Sequence, residues 1–234
     1  MLSKDYLHIE TTNRCTLKCP ACPRTVWHNL IKRPVEKADL NLNHLKSFLD
    51  CESMKTIKGL LLCGDYGDTI YYPQLFDMIK MFRDKAFYIH TNGSRKSKEW
   101  WEELNSLLTK DDLIVFAIDG LGEENLKYRV NADWDSIMSE YANKDSMEIA
   151  PRCLEASVVT SDGYFMPCDW IRNPLTFFRS ELYLDKEKWT DRLKISDVTL
   201  DQAYGVLAEW IENVKDKGIK GEAEVLCKMK CRAC

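Results

Sequence analysis

The stretch Cys15-Thr-Leu-Lys-Cys19-Pro-Ala-Cys22 places three cysteines in a loop directly after the strand-like residues 6–10. Three thiolates at this CxxxCxxC spacing can bind three irons of a [4Fe–4S] cube. The fourth iron then has no protein ligand and can bind a small molecule, as the open position of a catalytic metal site does. A zinc knuckle and unligated thiols are the alternative interpretations of this spacing.

The composition of the 234 residues is that of an ordinary globular protein, with 45% apolar and 30% charged residues. The net charge of -4 argues against a general nucleic-acid binder. No apolar run approaches the roughly 20 residues that cross a bilayer. The first ten residues also lack the apolar core of a signal peptide. We therefore expect a cytoplasmic protein without a membrane partner.

Short apolar strands alternate with amphipathic helices in the first 140 or so residues, which predicts βα units and a parallel sheet. The predicted strands are residues 6–10, 57–63, 86–91 and 113–118. Beyond about residue 145, two strand-like segments flank Ser161-Asp162-Gly163, and Asp-Gly favours a tight hairpin turn. We place a domain boundary near residue 148, with a core in residues 1–148 and a second domain in residues 149–234.

Distinctive motifs follow three of the predicted strands. The second strand ends in Cys63-Gly64-Asp65-Tyr66-Gly67-Asp68, and the third ends in His90-Thr91-Asn92-Gly93-Ser94. The fourth ends in Asp119-Gly120, followed by Tyr128-Arg129. In open parallel sheets, ligands bind beyond the carboxyl ends of the strands. Glycine lets the backbone approach a ligand, and a guanidinium suits a carboxylate, so these motifs predict a ligand site.

Together, the cysteine motif and the strand-end motifs of residues 5–142 resemble the radical S-adenosylmethionine (SAM) superfamily. The glycine-rich stretch is similar to a Gly-Asn-Tyr-Gly-Asp variant found in one subset of that superfamily. One departure is Ala21, because the residue before the third cysteine is often aromatic there. The resemblance implies that SAM binds the fourth iron. The cofactor-binding residues that it implies are Gly64, Asp65, Tyr66, Gly67, Asp68, His90, Thr91, Asn92, Ser94, Asp119 and Arg129.

The fold that this resemblance implies is a partial TIM-type barrel of parallel βα units, with its cluster at Cys15, Cys19 and Cys22. Fewer than 20 residues separate Trp134 from Pro151, where a fifth and a sixth strand would be expected. We therefore expect an abbreviated barrel, for which a natural shortening, an engineered deletion and a missing segment are all open explanations. An open side of the barrel suits a bulky substrate such as a peptide, or a neighbouring copy that closes it.

A second cysteine pattern, Cys153-x9-Gly163-x4-Cys168, resembles the start of SPASM and twitch domains. The resemblance implies a small C-terminal hairpin-plus-helix module that binds one auxiliary Fe–S cluster. Its further ligands would come from Cys227, Cys231 and Cys234. We favour Cys153, Cys168, Cys227 and Cys231, with Cys234 as the spare thiol. A structural zinc site of four thiolates is the alternative.

The activity that the resemblance implies is reductive cleavage of SAM to a 5'-deoxyadenosyl radical, which abstracts hydrogen from a substrate. A peptide (in a maturase) and an alcohol (in a dehydrogenase) are the substrate classes of such branches. An electron donor such as flavodoxin or ferredoxin is implied as a partner. The alternative is a non-catalytic Fe–S or zinc-binding partner protein derived from the same fold, which the shortened core motivates.

Overall fold

A computed structural model describes residues 5–32, 37–119, 123–141, 158–166 and 187–219. The strands are β1 (Tyr6–Ile9), β2 (Gly59–Leu62), β3 (Ala86–Thr91), β4 (Leu113–Phe116), β5 (Val158–Val159) and β6 (Phe165–Met166). The α-helices are α1 (Pro23–Ile31), α2 (Leu42–Leu49), α3 (Leu75–Met81), α4 (Lys98–Leu107), α5 (Glu123–Tyr128), α6 (Trp134–Tyr141) and α7 (Leu200–Ile219).

The strands form one mainly parallel, six-stranded sheet in the order β4-β3-β2-β1-β5-β6. β1, β2, β3 and β4 pair in parallel, in register at Ile9 with Leu62 and at Leu62 with Ile89. The four predicted parallel strands are therefore confirmed. Because these strands are parallel, their carboxyl ends and the loops that follow β1, β2 and β3 lie at the same edge of the sheet.

Helices pack on the sheet through apolar side chains. All four residues of β2 are buried, as its continuous apolar sequence predicts. Helix α2 buries Leu45 and Phe48, and the carboxamide of Asn41 caps it by accepting from the backbone N–H groups of the first turn. Ser97 caps α4, since its hydroxyl accepts from the backbone N of Trp100 at 3.3 Å.

The predicted hairpin is confirmed in residues 158–166, where β5 and β6 pair in antiparallel fashion. Gly163 in its turn has a φ of 89°, which glycine adopts without strain. β5 also pairs in parallel with β1, through His8 and Val158. Phe165 packs on Phe48 of α2 with ring centroids 5.5 Å apart. Residues 158–166 thus belong to the same sheet and core as the first four strands.

Several predictions fall outside the described residues. These include the boundary near residue 148 and the candidate ligands Cys153, Cys168, Cys227, Cys231 and Cys234. The partial barrel and the C-terminal cluster module therefore stay predictions. In the part of the chain that the structure describes, no helix is long and apolar enough to cross a membrane.

Candidate functional site

The cysteine loop leaves β1 and ends where α1 begins. Cys22 is the N-cap residue of α1, and its side chain makes no capping hydrogen bond. The guanidinium of Arg24, in the first turn of α1, donates to the carbonyl oxygen of Cys15 at 3.1 Å and to that of Leu17. The backbone N of Lys18 donates to the carbonyl of Val130 at 2.9 Å. These contacts fix the loop without using its thiols.

Each thiol of the loop faces a different neighbour. The Cys15 sulfur accepts from the backbone N of Leu17 at 3.4 Å and from Nδ2 of Asn92 at 3.6 Å. The Cys22 thiol donates to the carbonyl oxygen of Asp65, 3.6 Å away. Cys19 interacts with the guanidinium of Arg129. The loops after β2 and β3 therefore reach the cysteine loop, as the parallel topology predicts.

Burial makes two of these thiols hard to ionise. It raises the pKa of Cys15 to about 11, with a further contribution from the nearby carboxylate of Asp68. Burial also raises the pKa of Cys19, against the lowering effect of Arg129. Both groups are therefore thiols at neutral pH. Binding of a metal as thiolates would release their protons, which makes loading depend on pH.

The glycine-rich loop after β2 is held by a buried glutamate. Glu10, only 1% exposed at the end of β1, accepts from the backbone N groups of Asp65 and Tyr66. A Cβ at Gly67 would lie 2.0 Å from the carbonyl oxygen of Thr12, and one at Gly64 would lie 2.7 Å from the oxygen of Gly67. Backbone packs directly on backbone here, so neither position has space for a side chain and both require glycine.

Asp68 joins the loop after β2 to the loop after β3. Its buried Oδ2 accepts from the hydroxyl of Thr91 at 3.1 Å, and from both the backbone N (2.6 Å) and the side-chain amide of Asn92. Its Oδ1 accepts from the backbone N of Ile70 at 3.2 Å. Burial raises the pKa of Asp68, although the hydrogen bonds from Asn92, Thr91 and Ile70 act to lower it. The carboxylate thus has a structural role that the sequence did not predict.

The other predicted site residues include Asp119, Arg129, His90 and Ser94. Arg129 forms an ion pair with Asp119, whose backbone N donates to Oδ1 of Asn125 at 3.0 Å. His90 is partly buried at the end of β3, and burial lowers its pKa. The carbonyl of Ser94 accepts from the hydroxyl of Tyr71. The roles of these residues in binding a cofactor stay predictions.

A cleft of about 380 Å³ lies beside these loops. Its position is set by the loop after β3 together with α5 and the start of α6. Its wall is mostly polar, and its lining residues are Arg95, Glu123, Leu126, Ala132, Asp133, Trp134 and Asp135. The backbone N of Ala132 donates to the carbonyl of Arg129 at 2.8 Å, which connects this cleft to the surroundings of Cys19.

The donor set of the loop is three thiols, a ligand type of both Fe–S clusters and zinc sites. Among the residues that the structure describes, no three His, Cys, Asp or Glu side chains are placed to hold a single ion. In a cubane, each thiolate binds a different iron. Cys15, Cys19 and Cys22 are free thiols on one loop.

Sequence reasoning missed Glu10 and Arg24, which hold the loops of the site. Glu10 carried a usable signal, because a carboxylate at the end of an otherwise apolar buried strand needs partners. Arg24 carried a weaker signal, because one basic residue in an unpredicted helix resembles any surface charge. The helix α1 itself was missed, although Pro23 is the residue type that favours a first helical turn.

Sequence and structure comparisons found known proteins that are similar to this chain. No family model matches the chain. It is 30% identical over 119 residues to the tungsten-containing aldehyde ferredoxin oxidoreductase cofactor-modifying protein of Pyrococcus furiosus. That alignment covers 50% of this chain and 31% of the relative, so the chain spans about a third of the relative's length.

Two solved structures of BtrN are also similar. The structure of BtrN in complex with AdoMet and 2-DOIA is 15% identical, with a TM-score of 0.45, and the match covers 84% of this chain and 89% of BtrN. Selenomethionine BtrN in an open conformation gives a TM-score of 0.44 at the same identity, with 84% and 87% covered. The sequence match supports the resemblance to the radical SAM superfamily and says nothing of a SPASM or twitch module.

Proposed function

We propose that this chain is a radical SAM enzyme whose [4Fe–4S] cluster is bound by Cys15, Cys19 and Cys22. The observation that carries the proposal is the convergence of the loops after β2 and β3 on the cysteine loop that follows β1. The side-chain amide of Asn92, after β3, donates to the Cys15 sulfur. The carbonyl oxygen of Asp65, after β2, accepts a hydrogen bond from the Cys22 thiol. Such convergence at the carboxyl edge of a parallel sheet is where α/β proteins bind ligands.

The residues around the cysteines have separable tasks in this proposal. Glu10 and Asp68 hold the two loops that would meet SAM, since each accepts backbone N–H groups from them. The guanidinium of Arg129, beside Cys19, offsets the negative charge of a thiolate ligand. When bound, the cluster supplies the electron that splits SAM into methionine and a 5'-deoxyadenosyl radical, which takes hydrogen from the substrate.

The proposed substrate classes come from the superfamily resemblance. A peptide and an alcohol are the classes that the superfamily resemblance implies, and the name of the Pyrococcus relative adds the cofactor of another enzyme. We also propose an auxiliary cluster bound by Cys153, Cys168, Cys227 and Cys231. Flavodoxin or ferredoxin would act as the electron donor.

The decisive experiment is anaerobic reconstitution with iron and sulfide, followed by dithionite and SAM. We expect 5'-deoxyadenosine, and about eight irons per chain from two cubane clusters. The triple variant Cys15→Ala, Cys19→Ala, Cys22→Ala should lose about half of the iron and all of the cleavage. Cys51→Ala, which removes a free thiol outside the loop, is the matched control and should retain both.

Two outcomes would contradict this proposal. A fully loaded protein that makes no 5'-deoxyadenosine would be a non-catalytic Fe–S protein. Binding of zinc, with no iron retained after reconstitution, would favour the zinc-binding alternative. For the auxiliary cluster, the pair Cys153→Ala and Cys168→Ala should lower the iron content while leaving the EPR signal that SAM alters.

A further inference from the structure

The amide of Asn92 is the point where a side chain from the neighbouring loop touches a cysteine sulfur. Nδ2 of Asn92 lies 3.6 Å from the sulfur of Cys15, within the range of an N–H···S hydrogen bond. Asn92 is only 5% exposed, and it lies 77 residues from Cys15 in the chain. The contact is therefore a product of the fold, since it requires both the loop after β1 and the loop after β3.

The orientation of this amide is fixed from both of its ends. Oδ1 of Asn92 accepts from the backbone N of Ser94 at 3.0 Å. Nδ2 donates to Oδ2 of Asp68 as well as to Cys15. A flipped amide would place its NH₂ against the Ser94 N–H and its oxygen against the Asp68 carboxylate, and both contacts would be repulsive. The two hydrogens of Nδ2 are thus assigned to Asp68 and to Cys15.

Hydrogen bonds to the sulfur ligands of an Fe–S cluster are one of the factors that set its reduction potential. A donor withdraws electron density from the sulfur and favours the reduced, more negative state of the cluster. We propose that Asn92 is a positioning residue for the proposed cluster: its amide holds the Cys15 sulfur and raises the reduction potential, while Asp68 holds the amide. This inference rests on the proposed function.

The neighbours of the other two cysteines explain why this task falls to Cys15. Cys22 faces an acceptor, the carbonyl of Asp65, which cannot donate to a thiolate. Cys19 faces the guanidinium of Arg129, directly after α5, which is itself paired with Asp119. Cys15 receives two neutral N–H donors, from Asn92 and from the backbone of Leu17. Removal of the Asn92 amide leaves the Leu17 contact in place, so the effect of Asn92 can be isolated.

The test is a redox titration of the reconstituted protein, followed by EPR on the signal that SAM alters. We expect Asn92→Ala to load as much iron as the unmodified protein and to show a more negative midpoint potential. Its backbone N still donates to Asp68, so the loop keeps its main anchor. Thr91→Val is the matched control, because it removes another donor to the same carboxylate without touching Cys15. Its potential should be unchanged.

A second variant and a spectroscopic measurement distinguish loss of the hydrogen bond from a folding defect. Asn92→Ser retains a donor near Asp68 but is too short to reach the sulfur, so it should show the same negative shift. In deuterated buffer, hyperfine spectroscopy should detect an exchangeable proton near the cluster that is lost in Asn92→Ala and kept in Thr91→Val.

The outcomes separate this inference from the proposed function. A fully loaded Asn92→Ala protein with an unchanged potential would overturn the inference and leave the proposed function standing. An equal shift in Thr91→Val would also overturn it, because general loosening of the loop would then explain the effect. If the unmodified protein forms no cluster that responds to SAM, the proposed function fails and the inference fails with it.

Discussion

Asp112 and Asp68 are both buried, and they lie at opposite ends of the parallel strands. Asp112, just before β4, accepts from the guanidinium of Arg83 at 2.8 and 2.9 Å. Burial alone would raise the pKa of Asp112, but the hydrogen bonds from Arg83, Thr109 and Phe87 outweigh it and hold that pKa below its usual value. Asp68, at the carboxyl end, accepts from hydroxyl and amide groups, and burial raises its pKa.

The difference shows how the two ends of the sheet are used. An ion pair at the amino end stabilises the fold, because a cation compensates the buried carboxylate. At the carboxyl end, the Asp68 carboxylate accepts from neutral donors and lies near the Cys15 thiol, and such perturbed groups concentrate at functional sites. Substitutions at the amino end should therefore change stability, whereas those at the carboxyl end should change cluster binding as well.

The largest effect that would test this contrast is expected for Gly67→Ala. A Cβ there would lie 2.0 Å from the Thr12 carbonyl, so the backbone of one loop must move. We expect the free energy of unfolding to fall by about 3 kcal/mol, and the iron content after reconstitution to fall with it. Urea unfolding and iron analysis measure these two quantities.

The matched variant at the amino end is Gly59→Ala. Its Cβ would lie 2.9 Å from the carbonyl oxygen of Ala86 and 3.0 Å from the ring of Tyr6, a milder overlap. A cost of about 1–2 kcal/mol with full iron content is expected. The contrast between the two ends breaks down if Gly59→Ala loses iron as Gly67→Ala does.

Asp112→Asn should cost about 2 kcal/mol of unfolding free energy, because it removes the anionic partner of Arg83. This cost is lower than that of breaking a fully buried ion pair, because the Arg83 side chain is 34% exposed and solvent screens its charge. The depressed pKa of Asp112 means that its stabilisation is present above the unfolded value near 3.9 and is lost as the pH falls further. Acid titration of stability should therefore be flatter in the variant, and SAM cleavage at neutral pH should be retained.

Asp68→Asn should remove a pH dependence whose sign is opposite to that of Asp112. A raised pKa in the folded protein contributes stability that is present below the unfolded value and is lost as the pH rises through the folded value. The metal-free protein should therefore lose stability over that window, whereas the Asn variant should not. Urea unfolding of both metal-free proteins between about pH 4 and pH 8 measures this difference. Identical pH profiles would show that Asp68 is not held as described.

The smallest effect is expected for Tyr88→Phe at the amino end. The hydroxyl groups of Tyr88 and Tyr6 are 3.3 Å apart, and their rings meet edge to face with centroids 5.0 Å apart. Loss of one partly exposed hydrogen bond should cost about 0.5 kcal/mol, because the ring contact persists. Thermal unfolding detects the change, and a loss of iron would contradict the assignment of this end to stability alone.

Much of the sheet could be predicted from the sequence, because its strands are short apolar runs closed by Asn-Gly and Asp-Gly. The same strand ends located the loops of the site. Pairing across long distances could not be predicted in this way. Nothing in the sequence of β5 indicates that its neighbour is β1, about 150 residues earlier. Register of that kind depends on which apolar faces meet, and local patterns do not encode it.

The partners of individual side chains could not be predicted from the sequence either. Asp68 and Arg129 were expected to face a cofactor, and the structure pairs them with Asn92 and Asp119. A carboxylate near a glycine-rich loop has the same sequence signature whether it binds a ligand or the next loop. The residue types indicated where chemistry is concentrated, but only the fold shows which groups are already engaged with one another.

The position of β1 between β2 and β5 also constrains biosynthesis. β1 finds its first neighbour about 50 residues later in the chain, but its second neighbour only at Val158. While the ribosome makes the intervening residues, one side of β1 presents unpaired backbone groups, which other strands can capture. The loop that carries the three cysteines follows this strand directly, so we expect the proposed cluster to be inserted after the hairpin has closed that edge.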